Sequence, residues 1–146
     1  MPSFRNGDVE VLQGLVELSP DGTERASQTI ARRLKDAGKI RAFGVSNFDT
    51  RGLGRLIDAD LAGEIEVNQV MFNPARRGIE YDLLPLMREH GIACVAYTPL
   101  EPDALARNAG FRAVADAAGL TAAQLAMAWH MTRGLAVPIP KAGRAS

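Results

Sequence analysis

Apolar residues along this chain fall into short dense runs separated by stretches with a helical period. Ile92–Tyr97, IACVAY, is nearly continuous, as in a strand buried on both faces. Ile40–Val45 is a second such run, and it stops at the polar pair Ser46-Asn47. Glu64–Phe72, EIEVNQVMF, is rich in β-formers and is broken by Asn73-Pro74; Ala136–Pro140 reads as a last short strand. Between these runs the period changes. Ala26, Ile30 and Leu34 recur every four residues and mark one helix face, with Thr23 as N-cap and Gly38 as stop. Thr50–Ala59, Tyr81–His90, Phe111–Ala118 and Thr121–Thr132 read as further helices, the last opened by a capping-box pattern of Thr121 and Gln124. Val9–Gln13 fits either a strand or a short helix, and Ser19–Thr23 has the chemistry of a turn.

Helices alternating with short apolar strands predict parallel βα units and an α/β fold. No linker rich in Pro, Gly or Ser divides the chain, so a single domain over residues 1–146 is expected.

Composition narrows the function classes. The 17 basic and 17 acidic side chains give a formal net charge of zero. General electrostatic attraction to nucleic acid or to an anionic membrane is not expected. One cysteine, Cys94, excludes an internal disulfide framework and a cysteine-based zinc cage; it sits among apolar residues and reads as an inert buried thiol. The two histidines, His90 and His130, lie near helix ends, where they complement the helix dipole rather than a metal. The start, MPSFRNGDVEV, lacks the pattern of a signal peptide, and no run approaches a membrane span. A cytoplasmic location is the default expectation.

Four motifs then stand out in order: GKIRAFGVSNF, VNQVMFNP, HGIACVAYTPL and TAAQLAMAWHMTRG…VPIPKA. Together they resemble the second half of an aldo-keto reductase. The resemblance implies part of a (β/α)8 barrel, a half-barrel of four to five parallel strands, with the four clear strands as barrel strands five to eight. It implies hydride transfer between a nicotinamide cofactor, NADP(H), and a carbonyl or alcohol. By the same resemblance, Ser46, Asn47 and Gln69 hold the nicotinamide carboxamide, and Tyr97 stacks on its ring. Thr98, Pro99 and Leu100 lie near the pyrophosphate. Lys141, with Arg144 nearby, faces the adenosine-ribose phosphate. Barrel enzymes keep their sites at the C-terminal ends of the strands, where these residues fall. Ser, Asn and Gln offer neutral donors and acceptors for an amide, Tyr a flat ring, and Lys a positive charge.

Each residue also has a plainer reading. Asn47 or Asp49 serves as a helix N-cap, Gln69 is a buried amide satisfied by backbone, Tyr97 is a core aromatic, and Lys141 is a solvated tail charge. Arg76-Arg77 is a solvated loop or an anion site, and Trp129 packs in the core.

The departures from the family pattern set a second expectation. The family's catalytic Asp, Tyr, Lys and His have no counterpart here: VEVLQGLVELSP, where the His belongs, has none. The glycine-rich segment that follows the family's SPL motif is replaced by EPDALARNAGF. A truncated domain, inactive as an isolated chain, is expected, with a small carbonyl substrate only once the barrel is completed. The alternative is a non-catalytic half-barrel that acts as a binding or self-association module. Open sheet edges favour association, and Val45, Val67, Val95 and Ile139, expected on the inner face that a closed barrel fills from all its strands, lose half their neighbours. A homodimer or a complementing half-barrel would cover them.

Overall fold

The structure, a computed structural model, describes residues 31–59 and 62–141. The expected strand Val9–Gln13, the turn Ser19–Thr23 and most of the first helix lie outside the described residues, as does Arg144. Residues 31–36 are helical, and the chain leaves them through Gly38, whose φ of +66° suits a residue without Cβ.

Four strands follow: β1 Phe43–Ser46, β2 Ile65–Met71, β3 Ala93–Tyr97 and β4 Val137–Pro138. They pair in chain order, and every pair is parallel. Helix α1, Thr50–Asp58, links β1 to β2, and α2, Leu83–Glu89, links β2 to β3. Three helices precede β4: α3 Pro102–Arg107, α4 Ala109–Ala117 and α5 Ala122–Arg133. The alternating pattern therefore folds as parallel βα units, because each return crossing is carried by helix. Among the described residues, no helix is long and apolar enough to cross a membrane.

The core lies between one sheet face and the helices. Phe43, Val45, Val70, Cys94 and Ala96 face Leu53, Leu56, Leu84 and Met87 in one cluster. Val45 belongs to this helix-covered side, so the expectation that it lines the inner face is corrected. Side chains alternate along β1, and the inner positions are Gly44 and Ser46. Val67 and Val95 fall on the opposite face from the cluster, as expected, and are nonetheless buried.

Two strands, β1 and β4, depart most from the expected bounds, for backbone reasons. β1 begins at Phe43 rather than Ile40 and runs through Ser46, which pairs with Gln69. Ladder bonds are made by backbone, so a polar side chain does not end a strand. The ladder skips Glu66 between Phe43 and Gly44. A Cβ on Gly44 would sit 2.3 Å from Val67 Cγ2 and 2.6 Å from Val67 O, so only glycine permits this approach. β4 shrinks to two residues because Pro138 and Pro140 have no N–H to donate. Ile139 N–H still bonds Ala96 O at 3.0 Å.

Candidate functional site

The C-terminal ends of β1, β2 and β3 bring together four of the residues singled out above. Ser46 lies beside Gln69 in the ladder, and Gln69 beside Val95. Tyr97, two residues beyond Val95, pairs with Met71. Paired and alternate positions share a face, so Ser46, Gln69, Met71 and Tyr97 occupy one side of the sheet, opposite the helix-covered core. Ser46 Oγ donates to Gln69 O at 3.1 Å, and Asn47 N–H donates to the same oxygen at 2.8 Å. The Tyr97 hydroxyl donates to Asn47 Oδ1 at 2.8 Å and ties the ring to the first loop.

Asn47 adopts φ +60°, a left-handed conformation that Asn tolerates better than most residues. The helix cap is therefore not Asn47 but Asp49, whose Oδ1 accepts Gly52 N–H at 2.7 Å. Behind the loop, buried Asn68 donates from Nδ2 to Phe48 O at 3.0 Å. A cavity of about 370 Å³ opens beside these groups, lined by Asn47, Thr50, Met71, Arg76, Asp82 and Tyr97 among others. Asp82 caps α2, accepting Leu83 N–H at 2.7 Å, and hydrogen bonds from Thr50 and from that amide hold its carboxyl below the usual range.

The turn after β3 is more tightly built than its sequence suggests. Thr98 has φ +49° and Glu101 φ +29°, and a β-branched residue holds such a value only when its surroundings impose it. Asn73 Nδ2 donates to Thr98 O at 3.0 Å and to Glu101 Oε2 at 2.8 Å; Asn73 Oδ1 accepts Ala75 N–H at 2.9 Å. Arg76 pairs with Glu101 at 2.8 Å and holds that carboxyl below its ordinary range. Arg77 pairs with Glu80, which Arg133 also reaches. So Arg76-Arg77 is not a bare solvated loop: each arginine has a carboxylate partner. Within EPDALARNAGF, Pro102 starts α3 and buried Leu105 anchors it.

His130 departs furthest from expectation. Rather than serving the dipole at the end of α5, it is 2% exposed, set edge-on to Phe72 and Trp129. Its Nε2 lies 3.3 Å from Pro99 O, and its Nδ1 is buried without a partner. Burial pushes its pKa down and keeps the ring neutral, so it carries no charge to offer a dipole. Cys94 is buried as expected, and desolvation pushes its thiol up to about 12. Lys141 is exposed just beyond β4. The structure thus joins Ser46, Asn47, Gln69 and Tyr97 in one cluster and attaches Thr98-Pro99-Leu100 to it through Tyr97. The sequence reading missed Asn68, Asn73, Glu101 and the position of His130. The only available signal was Asn73, which directly follows the run EIEVNQVMF.

Comparison with known proteins supplies the family. A model described as the aldo/keto reductase family matches residues 27–146. The chain is 34% identical over 128 residues to methylglyoxal reductase YeaE of Escherichia coli (strain K12), covering 83% of this chain and 45% of that protein. Glyoxal reductase of Bacillus subtilis (strain 168) is 36% identical over 110 residues, 75% of this chain and 38% of that protein. Among solved structures, an aldo-keto reductase from Klebsiella pneumoniae in complex with NADPH matches with a TM-score of 0.72 at 38% identity, over 81% of this chain and 43% of that one. The thermostable aldo-keto reductase Tm1743, solved with the inhibitor epalrestat, matches with a TM-score of 0.75 at 33% identity, over 87% and 47%. The chain therefore spans under half the length of the relatives it matches, and its parallel sheet corresponds to part of their barrel. This chain belongs to the aldo/keto reductase family.

Proposed function

We propose that this chain forms the nicotinamide side of the cofactor cradle in an NADP(H)-linked reductase of small carbonyl compounds. The supporting observation is the cluster of Ser46, Asn47, Gln69 and Tyr97 on one sheet face. Its donor set fits a carboxamide. Asn47 Oδ1 is taken by Tyr97, which leaves Nδ2 to donate; the Gln69 side chain has no partner among the described residues. Ser46 Oγ spends its proton on Gln69 O and keeps lone pairs to accept. A primary amide needs donors and acceptors together, and these three side chains offer both.

Tyr97, fixed through its hydroxyl, presents its ring for stacking. That hydroxyl already donates to Asn47, so it is not the proton donor for a substrate oxygen. When bound, the nicotinamide supplies the hydride. The chain's own residues orient the ring, and the proton is expected from the remainder of a completed barrel. Thr98, Pro99 and Leu100 would lie along the pyrophosphate, with Lys141 toward the ribose phosphate. The relatives' names, methylglyoxal and glyoxal reductase, suggest a small dicarbonyl as substrate.

Titration of the chain with NADPH, followed by nicotinamide fluorescence, tests the reading. Saturable binding is expected, and Lys141→Ala should weaken NADPH more than NADH, because only NADPH carries the extra phosphate. Equal loss for both cofactors would remove Lys141 from the phosphate site.

A second reading has its own support. Val137 and Ile139 are 53% and 41% exposed at the β4 edge, and a second copy or a complementing half-barrel would cover them. Under this reading the chain is a self-association module.

A further inference from the structure

The turn after Tyr97 is held from behind by two buried side chains to which the cofactor reading gives no role. Asn73 donates to Thr98 O, and His130 Nε2 faces Pro99 O. A carbonyl oxygen only accepts, so the neutral His130 ring carries its proton on Nε2. The described peptide bonds include no cis bond, and in a trans peptide C=O and N–H point in opposite directions. The peptide after Thr98 ends in Pro99, which has no N–H. The peptide after Pro99 ends in Leu100. With Pro99 O directed at His130, the Leu100 N–H points away from α5, and it has no acceptor among the described residues. Glu101, the carboxylate of this turn, is engaged by Arg76 and Asn73, which offsets its repulsion of an anion.

We propose that Asn73 and His130 are positioning residues of an anion-binding turn. By holding the Thr98 and Pro99 carbonyls they turn the Leu100 N–H outward toward a phosphate group, which is the dinucleotide's pyrophosphate if the cofactor reading above holds. The Thr98 conformation, unfavourable for a β-branched residue, follows from the same restraint.

The test uses the whole 15N-labelled chain, titrated separately with inorganic pyrophosphate and with NADPH. The Leu100 amide resonance should move saturably with pyrophosphate. His130→Leu and Asn73→Leu should each weaken that response about tenfold, the loss of one well-placed charge-assisted hydrogen bond. His130→Gln, which keeps a donor near the Nε2 position, should restore it; a merely structural role for His130 would not separate Gln from Leu. Dispersed spectra establish that each variant folds, and if His130→Leu does not, Asn73→Leu and His130→Gln decide. A Leu100 amide that ignores pyrophosphate, or responds equally in wild type and both Leu variants, overturns the proposal. Pyrophosphate moving Leu100 while NADPH fails to bind overturns the cofactor reading and leaves the turn standing. NADPH binding with Leu100 unmoved does the reverse.

Discussion

Gly44 sits close against Val67 at the skip in the ladder between β1 and β2. A methyl group there meets both a side chain and a backbone oxygen of Val67, and the backbone cannot rotate aside as a side chain would. Gly44→Ala is expected to cost about 1–3 kcal/mol, read as a lower denaturant midpoint; an unchanged midpoint would contradict the close approach. His130 gives a pH signature. Its folded pKa lies below the ordinary 6.5 because burial disfavours the cation. The unfolded chain therefore takes the proton first, and stability is fully present above about pH 6.5 and lost as pH falls toward the folded pKa. The denaturant midpoint should fall across that window in wild type, and the His130→Gln midpoint should fall less. Identical profiles would show that His130 is not the group responsible. Of these two residues only Gly44 was visible in sequence, as part of the GVSNF motif. His130 was misread because its helix, AAQLAMAWHMTR, is small or apolar on nearly every side and shows no stripe to mark the buried face.

At the scale of elements, all four described strands, the helix at residues 31–36 and four of the helices α1 to α5 were legible in the sequence, since dense apolar runs and capping signals are local properties. Thr121 and Gln124 form the expected reciprocal cap. Helix α3 escaped because six residues with one buried side chain, Leu105, show no period. The turn at residues 98–101 was equally hidden: its conformation comes from Asn73 and His130, which lie 25 and 31 residues away from the carbonyls they hold. The shortness of β4 is legible in Pro138 and Pro140. Its exposed Val137 and Ile139 carry a prediction. We expect the 146-residue chain to self-associate, with a solution mass above that of one copy by sedimentation, and Ile139→Lys to shift it toward monomer. A well-folded wild-type monomer at all concentrations would contradict this.

For the molecule as a whole, the four motifs were enough to place the chain in its family, because each puts polar groups at the C-terminal end of a parallel strand. What they did not disclose is how those groups are supported: Asn68 under the first loop, Asn73 and His130 under the third. The central claim is that Ser46, Asn47, Gln69 and Tyr97 still make a working half of a nicotinamide site. The most direct measurement is the NADPH dissociation constant of wild type beside Tyr97→Leu and Asn47→Leu, from nicotinamide fluorescence. Saturable binding by wild type, weakened about tenfold by either substitution as stacking or an amide hydrogen bond is lost, is the expected result. Absence of saturable binding, or equal affinity in all three proteins, would contradict it.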